Sequence, residues 1–114
     1  MGFGRDINEI KKDLWEYNPT DDTWKELAQC PGLARRHPAF AITSNGKIYM
    51  GLGDGDDSTG NFNSGFKDWW EYDIGTDKWA RKTDLPNSGR HHPYYFAIGT
   101  DVYVGFGHNS GSIF

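Results

Sequence analysis

A chain of 114 residues, 36% hydrophobic and 25% charged with a net charge of −4, has the length of one small domain. The acidic balance argues against nucleic-acid backbones and anionic membrane surfaces as partners, because both need clustered Lys and Arg that this sequence lacks. The single cysteine, Cys30, excludes an intrachain disulfide and a cysteine-based metal site and reads as an ordinary packed residue.

The aromatics supply what the modest hydrophobic share withholds. Five Trp, six Tyr and seven Phe each bury roughly 150–250 Å², so a few rings per unit are enough for a core. Fifteen Gly and five Pro punctuate short aromatic and aliphatic runs, the pattern of an all-β chain with many tight turns. No apolar run approaches the roughly 20 residues of a membrane helix. The N-terminus lacks the charged start and apolar stretch of a signal peptide, which leaves the compartment open.

In chain order, GFG at Gly2–Gly4 is followed by predicted strands at Leu14–Tyr17 and Thr23–Leu27. AFAITS from Ala39 and KIYMGLG from Lys47 flank Asn45-Gly46, the strongest short-range hairpin signal. A polar, glycine-rich loop from Asp54 leads to DWWEYD at Asp68–Asp73, a turn at Ile74–Asp77, and KWARK at Lys78–Lys82. The pattern closes with YYFAI at Tyr94–Ile98 and VYVGFG at Val102–Gly107. Apolar residues occupy both faces of these strands, as in sheets covered on both sides by neighbours.

The chain is also a tandem repeat. Asp13–Pro38 returns as Asp68–Pro93 at an offset of 55 without a gap, aligning Trp15, Tyr17, Asp22, Trp24, Pro31, Arg35, His37 and Pro38 with Trp70, Tyr72, Asp77, Trp79, Pro86, Arg90, His92 and Pro93. A fixed period near 50 residues marks stacked units that cannot bury their apolar faces alone. Recurrence at one phase makes Trp15, Tyr17, Trp24, Trp70, Tyr72 and Trp79 core residues rather than sugar-stacking platforms.

The ordered set Arg36/His37, IYMGLG, WWEYD and Trp79, followed by Arg90/His92 and VYVGFG, resembles the kelch repeat of β-propellers. The resemblance covers nearly the whole chain, with the glycine doublet appearing as GLG and GFG. It implies blades of four antiparallel strands. Residues 1–36 then carry strands three and four of a first blade, 37–83 a complete blade, and 84–114 strands one and two of a further blade. The end halves sum to one blade, and two blade equivalents do not close a ring, since propellers use roughly four to eight. The expectation is a head-to-tail ring of copies, a six-bladed homotrimer, with the apolar Ile113 and Phe114 docking near Phe3 and Ile7 of the adjacent copy. The alternative is that these residues belong to a longer chain carrying the other blades.

Arg35, Arg36 and His37, like Arg90, His91 and His92, precede the first strand, which lies nearest the axis of a propeller. That places them at a mouth of the channel, where His108 joins them or lies in a loose tail. A ring of such clusters suits an anion, a carboxylate ligand or, through neutral imidazoles, a metal. The favoured competing reading has them bonding loop carbonyls and locking neighbouring blades. Asp54, Asp56 and Ser58 alternate as calcium-loop ligands do, but the loop lacks the other elements of an EF-hand and reads as a solvated acidic loop. Pro38 and Pro93 predict that the preceding His is extended.

No GxSxG, HExxH or phosphate-loop motif is present. The expected function is therefore a non-enzymatic binding scaffold that self-assembles, with a protein or glycan as ligand and no cofactor, nucleic acid or membrane partner. The alternative is a site for an anionic sugar or sugar acid, or an isomerase-type enzyme, built on the Arg/His ring.

Overall fold

The computed structural model describes residues 1–110 and the backbone of 112–113. Among these every regular element is a strand: β1 (Leu14–Asn18), β2 (Thr23–Leu27), β3 (Ala39–Ile42), β4 (Lys47–Gly51), β5 (Gly55–Asp56), β6 (Phe62–Asn63), β7 (Trp69–Asp73), β8 (Lys78–Lys82), β9 (Tyr94–Ile98), β10 (Asp101–Gly105), β11 (His108–Asn109) and β12 (Ser112–Ile113). One four-stranded antiparallel sheet, β3-β4-β7-β8, is flanked by the two-stranded sheets β1-β2 and β9-β10. The strand orders are those expected of a whole blade and two half blades. The loop from Asp54 contains a short hairpin, β5-β6, that alternation could not reveal in strands of two residues.

Each third-to-fourth-strand turn is built the same way. Asp22 and Asp77 both take φ of 54°, a left-handed conformation that Asp tolerates. Each carboxylate accepts the hydroxyl of the tyrosine five residues earlier, Tyr17 at 2.7 Å and Tyr72 at 2.6 Å. Asp77 also accepts the backbone N–H of Ala28 at 2.9 Å, while the Trp79 indole donates to the Ala28 carbonyl at 2.7 Å. The repeated Tyr/Asp/Trp set thus serves two ends, closing its own hairpin and clamping the preceding blade.

Two small cores lie between the first half blade and the whole blade. Leu14 packs with Ile48 and Tyr72, and Cys30 packs with Met50 and Trp70. Each combines one residue from the preceding unit, one from β4 and one from β7, with Ile48 opposite Tyr72 and Met50 opposite Trp70 in the ladder. Burial pushes the Cys30 thiol upward in pKa, as suits a packed residue.

Trp70 and Tyr72 are buried as expected, and Trp15 and Trp79 partly so. Tyr17 and Trp24 are not core in the single chain: Trp24 is 54% exposed and its ring is tilted 42° against that of Tyr17, with centroids 5.0 Å apart. The second half blade is uncovered in the same way. Tyr94, Phe96 and Phe106 are exposed, whereas their equivalents Ala39, Ala41 and Leu52 in the whole blade are buried. Phe114 and the Ile113 side chain, expected to dock on a neighbouring copy, lie outside the described residues.

Candidate functional site

The two Arg/His clusters sit where the chain drops into the first strand of each blade. Strands β3 and β9 run side by side, joined by His92 N donating to His37 O at 3.2 Å and Ser44 N donating to Gly99 O at 2.9 Å. His37 and His92 both have φ of 52°, so the expected extended backbone is replaced by a left-handed turn. Proline bars the right-handed helical region to its predecessor, and His is among the residues enriched in the left-handed well. That turn brings the residue before each histidine into a two-way backbone bridge, Arg36 with Asp54 and His91 with His108. Close approach is possible because Gly53 and Gly107 have φ of 91° and 82°, and a Cβ on either would come within 2.4 Å of Arg36 O or 2.6 Å of His91 O.

The arginines do not face an open mouth. Arg35 is 0% exposed, clasps Asp68 through both terminal nitrogens at 2.7 Å, and donates to the carbonyls of Leu33 and Leu52 at 3.1 Å. Burial alone would raise the Asp68 carboxyl, but the hydrogen bonds and charge of Arg35, aided by the Trp70 indole at 2.6 Å, hold it below its ordinary range. Arg90 is also buried and donates to the carbonyls of Ser88 and Phe106. Arg36 donates to Asp54 at 2.8 Å.

Asp54 is 3% exposed and turned inward, accepting from Arg36 and, at 3.0 Å, from Nδ1 of His37. It does not converge with Asp56 and Ser58, which are exposed, so the alternate-position calcium set does not assemble. Asp57 closes the loop instead, accepting from the hydroxyl and backbone N–H of Thr59 at 2.6 and 2.8 Å. Because the Asp56 side chain holds no ion pair or hydrogen bond among the described residues, Asp56→Ala should change stability by less than about 0.5 kcal/mol. Thermal melts with and without calcium check this, and a calcium-dependent rise removed by the substitution would contradict it.

The histidines form the accessible part of the cluster. His37 stacks on His92 with centroids 3.8 Å apart, His91 lies edge-on to His108 at 4.1 Å, and His92 is parallel to His108 at 5.6 Å. Partial burial and the adjoining imidazoles of His37, His91 and His108 hold His92 below the usual histidine range. The placing of His108 had no signal in its own tail, since it depends on the bridge to His91.

No protein-family model matches the chain. The human and mouse Kelch-like protein 11 (Homo sapiens, Mus musculus) are each 36% identical over 76 residues, 66% of this chain and 10% of theirs. The solved structure of YjhT superposes with a TM-score of 0.74 at 22% identity, covering 95% of this chain and 34% of that one. The chain belongs to the kelch-repeat β-propeller family. It spans about a tenth of the length of these curated relatives and about a third of the superposed structure. At a coarse level, a kelch-type propeller fold supports a binding scaffold.

Proposed function

We propose that the chain is a kelch-type binding scaffold that completes its propeller with further copies of itself, presenting blade loops and the central channel to a ligand. The observation that carries this is a core with one member missing. The repeat relates Leu14 and Cys30 to Trp69 and Leu85, and Ile48 and Met50 to Val102 and Val104. Trp69, Leu85, Val102 and Val104 line one groove together with Leu52 and Pro86. The ring that fills each core in the whole blade comes from Tyr72 and Trp70 on β7, and the equivalents of these are Tyr17 and Trp15.

A second copy adding β1 to the open edge of β10 brings Tyr17 opposite Val102 and Trp15 opposite Val104, as Tyr72 and Trp70 stand opposite Ile48 and Met50. The same register sets Tyr103 against Glu16, repeating the 2.6 Å hydrogen bond from Tyr49 to Glu71. Within one chain the position beside β1 is held by Met1 and Gly2, through the Gly2–Leu14 bridge and Trp15 N donating to Met1 O. Assembly exchanges this short pairing for the five residues of β10.

The head-to-tail contact closes at three copies if the ring has six blades, so the 12.9 kDa chain should scatter light as a particle of about 39 kDa. Val104→Pro removes a ladder donor in β10 and should shift the particle toward one chain mass. A protein that stays monomeric at micromolar concentration would overturn the self-assembly, whereas four copies would keep the joint and change the blade number. The anionic-sugar alternative has less support, because Arg35 and Arg36 are engaged by Asp68 and Asp54.

A further inference from the structure

Arg36, His37 and Asp54 of the first cluster occupy the same backbone positions as His91, His92 and His108 of the second, as the matching bridges Arg36–Asp54 and His91–His108 show. The chemistry at these shared positions differs. In the first cluster a guanidinium and a buried carboxylate neutralise each other at 2.8 Å. In the second there is no charge pair, and three imidazoles converge instead. One ring nitrogen from each of His91, His92 and His108 lies within 4.8 Å of those from the other two.

Among the described residues, one of these three rings is fixed by a hydrogen bond to an oxygen acceptor. Nδ1 of His91 lies 2.5 Å from the Ser64 carbonyl, which accepts and therefore requires the proton on Nδ1. The lone pair of His91 is left on Nε2. This is how metal-binding histidines are commonly held, with the second nitrogen donating to a backbone carbonyl that sets tautomer and ring orientation. Asn109, next to His108, donates to the Gly89 carbonyl at 2.9 Å, and Ser110 bonds Ser64 through both its backbone N–H and its hydroxyl. The loop that carries His108 is thereby tied to the segment that orients His91.

We propose that His91, His92 and His108 form a binding site for a divalent transition-metal ion of the zinc class. Neutral imidazole suits zinc, copper and nickel, whereas calcium and magnesium require oxygen ligands. Three protein nitrogens leave a fourth tetrahedral position for water or for an anionic ligand. All three donors come from one chain, so the site stands whether or not the ring assembles.

Isothermal titration of the untagged protein with zinc chloride should show about one ion per chain, with a rise in melting temperature by linkage. His108→Gln and His91→Gln should each weaken zinc by at least about tenfold, the lower end of what losing even a supporting partner costs such a site. His37→Ala removes the ring stacked on His92 but none of the three donors, and should retain zinc. Calcium chloride should produce neither heat nor stabilisation. Should a histidine variant fail to fold, the wild-type imidazole proton resonances decide, with zinc shifting those of His91, His92 and His108 together. Absence of zinc binding at millimolar concentration, equal affinity in the variants, or shifts confined to His37 would overturn the assignment.

Discussion

Arg35→Ala should destabilise the chain by about 3–5 kcal/mol, the cost of removing one partner from a buried ion pair and stranding the other. Arg35 has no solvent exposure and its guanidinium is held by Asp68 and two carbonyls. Without it, the Asp68 carboxylate keeps the Trp70 indole as its hydrogen-bond donor among the described residues, and the Leu52 carbonyl loses a donor deep between the blades. Chemical denaturation at neutral pH measures the loss, and a change below 1 kcal/mol would contradict a structural role for this residue. The pair also has a pH signature. A carboxyl held below its ordinary value in the folded chain contributes stability that is complete above that ordinary value and is lost as pH falls through the depressed folded value. The wild type should therefore weaken in acid below about pH 4, more steeply than Asp68→Asn, whose amide does not titrate there. Equal acid sensitivity in the two proteins would show that other carboxylates govern the transition.

The repeat made the fold legible because each structural device uses several residues at fixed spacing. Tyr72, Asp77 and Trp79 lie within one hairpin, so their joint recurrence 55 residues after Tyr17, Asp22 and Trp24 carries the turn, the clamp and the strand phase together. The site was less legible because its contacts join positions with no local relation. Arg35 meets Asp68 across 33 positions, and Asp54 reaches Arg36 only after two left-handed turns and a glycine close the bridge. Alternating oxygens from Asp54 onward look like a cation loop until the first of them turns inward. Likewise, the Arg/His pattern shows that both clusters share a backbone. It does not show that one resolves into an ion pair and the other into converging imidazoles, since that depends on Asp54 and His108, which belong to different loops.

Trp70→Ala and Trp24→Ala should separate the core of one chain from the proposed joint between chains. Trp70 is buried, donates to Asp68, and carries the Arg81 guanidinium 5.3 Å from its ring centroid. Its truncation should cost about 3–5 kcal/mol at any protein concentration, as large-to-small changes in a packed core do. Trp24 is the repeat equivalent of Trp79, whose indole clamps Ala28. In the proposed ring the same geometry would aim Trp24 at the carbonyl of Thr83 in the adjoining copy. Trp24→Ala should therefore cost less than about 1 kcal/mol in dilute monomer, where the ring is already exposed, yet reduce the scattering mass at concentrations where the wild type assembles. Unfolding followed over a range of protein concentrations reads both effects at once, because the proposed assembly would make the wild-type midpoint rise with concentration. Trp24→Ala should flatten that dependence, and Trp70→Ala should lower the whole curve. If Trp24→Ala destabilises the dilute protein as much as Trp70→Ala does, Trp24 belongs to the single-chain core and the proposed joint lies elsewhere.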